Sequence, residues 1–591
     1  MQPTHSVSKP APRVFGRSAC LKAKTRLSVI LISIVLVACG SVGSGTLSTS
    51  TTVSTTTTLA PQQTHVTFPV PYLPTNFNPN TPDGDSLTTR EIMTNVWPSA
   101  FYQNAKYQTV LNSNFLNSAE LVSTNPQEVI YQINPDATWS DGTPITAADF
   151  IYNWEAQVGD PKYVDVGGAS YLANTTIGYS DIQSVAGSNN GKTVTVIFNK
   201  LFSEWESLFN PLVPAHIAKQ VGWSFGFAEA SPLVEVSGGA YQISTVVPGK
   251  EIELTRNTKY WGRRATIAKI VFLVDPNPSD YPAQFGNGTL NLVQSPSTDL
   301  LFSGLRGAAG VHSQLAPSLT TEELLFNLSH GPLGDLKVRQ AIATAIDRKA
   351  ITAAAIGSYD PTAVPAGNNI YSPGAPQYQN DGTKYVTSDP GAAEAILTSD
   401  GYVRSVTGIM TKNGQPLELT ISVDSANQQL LYIEELITEE LSAVGIVVNA
   451  VNYSLNTLEA SVLLTGAFDM AIVAQAGSPN ATYHVDHYLS GSKGSRNNYT
   501  TYSNPQADAL IAKASTELDP ATSAKIYNQL DQLLWKDLPS IPLYSVPDVI
   551  AYNMGYNFIG TSTSSSTIFW NSSTWSFISP RTSSLKDTLK S

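Results

Sequence analysis

Two apolar periodicities take turns along residues 65–580, and this alternation constrains the fold more than any other property of the chain. Helical spacing of apolar residues recurs in windows 85–101, 147–157, 335–346, 390–397, 430–444, 506–514 and 521–534. Between them lie strand-like runs at 128–133, 193–198, 251–255, 267–274, 323–326, 417–423, 447–451 and 468–473. A helix that carries one apolar stripe needs a sheet or another helix to cover it, so helices interleaved with strands predict an α/β fold with mixed sheets. The length predicts two to four lobes at roughly 100 to 200 residues each.

The N-terminal end predicts export. Residues 1–38 carry Lys9, Arg13, Arg17, Lys22, Lys24 and Arg26 and no acidic residue, followed by an apolar run at 27–38. That run is shorter than the roughly 20 residues a membrane span requires, and it ends in small residues, so 1–38 reads as a signal peptide. Leu36-Val37-Ala38-Cys39 reads as a lipobox, with the sulfur of Cys39 taking a diacylglycerol and cleavage falling before it. The expected location is the extracytoplasmic face of the cell membrane, held by the lipid anchor. Cleavage also removes Cys20, leaving one lipidated sulfur, which excludes a disulfide framework, a thiolate metal cluster and a cysteine nucleophile. Loss of the six basic residues takes the formal charge from −12 to −18, which argues against nucleic acid and against a polybasic membrane patch. Residues 39–64 are mostly Ser, Thr, Gly and Val and read as a flexible linker, and 581–591 as a disordered tail.

Three stretches carry a family resemblance. After Tyr131 the chain reads Gln132-Ile-Asn-Pro-Asp-Ala-Thr-Trp-Ser-Asp-Gly-Thr-Pro-Ile-Thr-Ala-Ala-Asp-Phe150: a strand, a turn at Asp141-Gly142, and a helix with Thr146 as N-cap and Asp149 at its third position. The second stretch is Gly238-Gly-Ala-Tyr-Gln-Ile243, followed by Glu253-Leu-Thr-Arg-Asn-Thr-Lys-Tyr-Trp261. There the paired glycines fit equally a ligand-facing crossing and a cramped strand bend. The third is Leu325-Phe-Asn-Leu-Ser-His-Gly-Pro-Leu-Gly-Asp335-Leu-Lys-Val-Arg-Gln-Ala, running to Ala-Ile-Asp347-Arg. It predicts Asp335 as an N-cap and Val338, Ala341, Ile342 and Ala345 as a buried stripe. Shorter blocks follow at Gly466-Ala-Phe-Asp469, at 497–508 and at Leu538-Pro-Ser-Ile-Pro-Leu-Tyr544. In this order the stretches resemble the family-five extracellular solute-binding proteins, which comprise the oligopeptide, dipeptide and nickel receptors of ABC importers.

The resemblance implies a two-lobe periplasmic-binding-protein fold (type II, cluster C), with mixed sheets, two hinge crossings and an extra subdomain in lobe one. Lobe one would comprise 65–316 plus 541–580, with the inserted subdomain at about 100–235; lobe two would be 317–540. It further implies a monomeric receptor that binds a small solute such as an oligopeptide by lobe closure and delivers it to an ABC permease and ATPase, with no enzymatic step and no cofactor. Solute contacts would fall to Asn76, Phe77, Asp83 and Gly84, to Gly238, Gly239 and Tyr241, to Asn327, and to Gln475, Ala476, Gly477 and Tyr483.

One departure bears on the solute. Where peptide receptors of the family place Trp and then an Asp that pairs with the ligand amine, this chain reads Val473-Ala-Gln-Ala-Gly-Ser-Pro-Asn480, with neither residue. A buried ammonium without a partner is heavily penalised, so a capped, neutral or sugar-like solute stays open beside a free peptide. His484 and His487 have metal-ligand character, but no further histidine lies near them in sequence, and a solvated loop is the expected reading. Ser490-Gly-Ser-Lys493 matches a penicillin-binding pattern without its companion motifs and is set aside. A sensor or chaperone-like lipoprotein on the same fold, and receptors for nickel, metal complexes or oligosaccharides, remain the alternatives.

Overall fold

The computed structural model describes residues 65–228, 235–491, 497–557 and 567–577, all within one compact unit, Pro61–Ser591. The expected signal peptide, Cys39, the linker and the C-terminal tail lie outside the described residues.

Among the described residues the first layer is a mixed sheet in which His65–Val70 runs parallel to Lys269–Val274, with Glu251–Arg256 and Tyr241–Val247 following antiparallel. Its apolar faces are dictated by alternation: in Lys269–Val274 the buried residues are Ile270 and Phe272. An antiparallel sheet of Leu116–Thr124, Gln127–Ile133, Thr193–Phe198 and Ile182–Ser188 packs beside the helix Ala147–Gln157. That helix opens with the expected capping box. Thr146 Oγ1 accepts from Ala148 N (3.3 Å), and Asp149 accepts from Thr146 N (2.9 Å).

The second large sheet has five strands, in the order Val447–Ala450, Glu418–Ser422, Met470–Ala476, Thr320–Phe326 and Ser540–Ser545. The first three run parallel, and Thr320–Phe326 is antiparallel to both of its neighbours. Helices Leu336–Ala345, Arg348–Ile356 and Gln428–Ala443 contribute to the core on one side. Asp335 caps the first of these through Lys337 N (2.9 Å), and Val338, Ala341, Ile342 and Ala345 are all buried, as their spacing predicts. Arg348 is buried to 1 % exposure and donates to the carbonyls of Tyr385, Ala366, Pro542 and Gly382 at 2.6 to 2.7 Å, while its guanidinium stacks on Trp535.

A three-stranded sheet of Leu292–Pro296, Asp548–Asn553 and Val311–Ala316 lies where the chain passes between these regions. The two passages, 316–320 and 545–548, run side by side: Val546 N donates to Thr320 O (3.0 Å) and Ser318 Oγ to Val546 O.

One expected helix is shorter than its pattern. The window 85–101 forms a helix at Leu87–Met93, and Phe101 opens the strand Phe101–Gln103. Val96 and Trp97 are fully buried in the intervening loop, where Trp97 meets Phe227 edge to face, so a loop filling a core imitated helical spacing.

Candidate functional site

The parallel strands of the five-stranded sheet end at Ser422, Ala450 and Ala476, and Thr320 lies opposite Ala476 at the same edge. In α/β sheets this carboxyl edge is where ligands sit. The loop after the middle strand Met470–Ala476 leads to the turns Ala481–Tyr483 and Val485–Tyr488.

The 203–207 segment of the first region reaches this loop. Ser203 N donates to Ser515 O (2.8 Å), Thr482 N donates to the Glu204 carboxylate (3.2 Å), and Ser207 Oγ lies 3.2 Å from Tyr483 Oη. Tyr107 Oη donates to Ser318 O (3.3 Å) nearer the chain passages. Burial pushes the Glu204 carboxyl up to about 7 even though Thr482 and Ala481 donate to it. Tyr371, Tyr483 and Tyr527 surround it, each with a phenol raised by burial.

The expected contact residues separate into groups. Asn76, Phe77 and Gly84 form a self-supporting turn with Asn78 and Thr81. Asn76 Nδ2 donates to Ser224 O (2.8 Å), Phe77 is in the core, and a Cβ on Gly84 would lie 2.0 Å from Asn78 O. Asp83 is exposed on the outside of that turn. Gly238 N and Gly239 N both donate to Val96 O, and a Cβ at 239 would lie 2.2 Å from Asn95 O, so the glycines serve a close backbone approach. Tyr241 is fully buried with its hydroxyl on Ile267 O (3.1 Å). Asn327 is fully buried and donates to Gly466 O (2.9 Å) and Phe468 O (3.1 Å), tying the end of Thr320–Phe326 to the turn that leads into Met470–Ala476. Gln475, Ala476, Gly477 and Tyr483 do come together along the end of the middle strand and its loop, with Gly477 N bonded to Leu319 O.

His484 and His487 stand with ring centroids 5.0 Å apart, and burial holds both down to about 4. His484 Nε2 is 3.0 Å from Asn369 O, and among the described residues no group of three metal-ligating side chains forms around the pair.

Two groups at this edge escaped sequence reasoning. Glu322 and Glu323 are consecutive carboxylates inside the interior strand Thr320–Phe326, and both are buried. Burial pushes Glu322 up to about 7 and Glu323 up to about 8. Their signal was a charged pair interrupting an apolar strand pattern. Glu204 carried none, because its burial depends on residues 278 positions away.

The model of bacterial extracellular solute-binding proteins, family 5 (middle), matches residues 113–499. The chain belongs to this family. Family-5 relatives include the oligopeptide-binding protein OppA of Mycobacterium tuberculosis, 29% identical over 490 residues that cover 81% of this chain and 79% of OppA. The probable monoacyl phosphatidylinositol tetramannoside-binding protein LpqW of the same organism is 27% identical over 459 residues, covering 72% of this chain and 70% of LpqW. Among solved structures, the periplasmic EDTA-binding protein EppA superposes with a TM-score of 0.79 at 26% identity, over 87% of this chain and 96% of its own. The oligopeptide-binding protein AppA of Bacillus subtilis, in complex with a nonapeptide, superposes at 0.69 with 20% identity over 87% and 99%. The family-5 fold accounts for the two large sheets and the paired passages between them.

Proposed function

We propose that this chain is the peptide receptor of an ABC importer, tethered through lipidated Cys39 on the extracytoplasmic face and handing its solute to a permease and ATPase. The observation that carries the reading is the alignment with OppA, a named oligopeptide-binding protein, over most of both chains. The contacts from 203–207 to Tyr483 and Ser515 support it, because they are of the kind that form when two lobes meet around a cleft. Lobe one comprises 65–316 and 548–580, including the subdomain at about 100–235, and lobe two comprises 317–545; the second boundary moves from the expected residue 541 because Ser540–Ser545 pairs with Thr320–Phe326 in the second large sheet. Along the edge, the backbone near Ala476 and Gly477 offers strand-like pairing to an extended peptide, with side chains left in hydrated pockets.

The test is a melting-temperature screen of the mature chain against pooled peptides, nickel–histidine, EDTA and oligosaccharides. A ligand at 100 times its Kd adds about 2.7 kcal/mol to stability. Peptides are expected to raise the melting temperature and to compact the molecule in small-angle scattering. A response confined to a chelate or a sugar, with none to peptides, refutes the peptide assignment.

A further inference from the structure

Glu323 lies in the middle of a sheet at 4 % exposure, where a carboxylate is costly unless a cation meets it. Among the described residues the ion pairs of this part of the chain are His330–Asp469, Arg404–Glu394, Lys412 with Asp335 and Asp400, and His487–Asp486, and none includes Glu323. The side chain instead faces a cavity of about 10 Å³ that it shares with Gln475, Tyr488, Tyr499, Thr500 and Ser540. Ser540 Oγ, in a residue 2 % exposed, stands beside the Glu323 carboxyl, whose pKa it lowers against the larger effect of burial. Strand register fixes this placement. Glu323 pairs with Val473 and Thr321 with Gln475, so Glu323 and Gln475 share one face of the sheet, two steps apart at its carboxyl edge.

A volume of about 10 Å³ holds one water-sized group, and such a group needs two to four polar partners. The carboxylate, the Ser540 hydroxyl and the Gln475 amide supply oxygen acceptors; a guanidinium is too large. From this we propose that Glu323 is the residue that receives a primary ammonium group of the solute, with Ser540 Oγ and Gln475 as its further acceptors. The assignment rests on the peptide-receptor reading for the identity of the solute, not for the chemistry of the cavity. In the empty site the raised affinity of Glu323 for a proton keeps it neutral at pH 7. Docking is then an exchange: the carboxylic acid gives up its proton to solvent, and the ammonium takes its place as counter-ion. The other titratable groups around it are Glu322, His487, Tyr488 and Tyr499; burial raises all but His487, which it lowers, so the two tyrosines and His487 remain uncharged at neutral pH while Glu322, at about 7, is partly ionised.

The mature chain and its Glu323→Gln variant are titrated calorimetrically at pH 7 with pentaalanine, N-acetyl-pentaalanine, N-acetyl-Ala-Ala-Lys-Ala-Ala and methylammonium, in buffers of different ionisation enthalpy. The isosteric variant keeps the fold, which its melting curve checks. In the native chain N-acetylation of pentaalanine is expected to weaken binding at least about tenfold, the scale of a charge-assisted hydrogen bond, and amine-bearing probes release about one proton. In the variant the acetylation penalty falls below about twofold and proton release vanishes. Recovery of affinity by the lysyl probe assigns the site to a side-chain amine, and its absence to the α-amine. Equal affinity for capped and free peptides in the native chain, or an unchanged acetylation penalty and proton release in the variant, overturns the inference and leaves the peptide reading standing. Glu323-dependent methylammonium binding with no peptide binding would uphold the cavity and sink the peptide reading. Binding of neither probe class sinks both.

Discussion

Glu204→Gln removes the one carboxylate in the contact between the 203–207 segment and the Ala481–Tyr483 turn, and its effect can be worked from the structure. With the lobes together, burial holds Glu204 at about 7, against an ordinary value of 4.5; the proposed opening of the lobes would return the group to water. The closed form therefore binds a proton more tightly than the open one. Closure is fully favoured below about pH 4.5, weakens as pH rises towards 7, and is level above that. The difference of about 2.5 in pKa corresponds to about 3 kcal/mol, or two orders of magnitude in solute affinity, as an upper value for a group that keeps some solvent contact. The assay is the affinity for a capped pentapeptide from pH 5 to 8, so that the ammonium exchange at Glu323 does not contribute. Native affinity should fall by one to two orders of magnitude over that range, at roughly 1.4 kcal/mol per tenfold, while the variant stays within about threefold. The tyrosines around Glu204, residues 371, 483 and 527, are neutral throughout. Superimposable pH profiles for the two proteins would show that Glu204 ionises without regard to closure and refute the reasoning.

Three further changes probe the scaffold. Arg348→Met leaves four buried carbonyls without donors and should cost about 4 kcal/mol or more in chemical denaturation; a loss under about 1 kcal/mol would mean that water replaces the guanidinium. Gly239→Ala drives a methyl group against Asn95 O and should destabilise by about 1–3 kcal/mol, read as a lower melting temperature. Thr146→Ala removes the capping box of Ala147–Gln157 and should cost about 1 kcal/mol, with Thr146→Ser restoring most of it.

Elements with strong local periodicity are legible in the sequence. The helix Ala147–Gln157 and the strand Thr193–Phe198 coincide with their sequence windows, because alternation or a 3.6 repeat is enforced by a single buried face. Residues 95–101 were misread because Val96 and Trp97 enter a core from a loop, a tertiary demand with no local mark. The region around Asn76 reads as polar and accessible, yet its asparagines spend their hydrogen bonds fixing a turn. The missing carboxylate after Val473 was visible, whereas a neighbouring strand's Glu323 was not, since register places it beside Gln475 only when the sheet is assembled. Likewise the pair His484 and His487 suggests a ligand set, but one imidazole is turned onto Asn369 O.

The side-by-side passages at 316–320 and 545–548 have a mechanical consequence. Two chains laced together by Val546 N to Thr320 O behave as a pair of pins on one door: swinging about the line through both is soft, whereas shearing or twisting would tear the lacing. Motion of one half of the molecule against the other thereby reduces to a single angle. One distance, for instance between labels on the exposed Leu172 and Leu464, would then follow the whole trajectory, and any second distance should be a fixed function of the first.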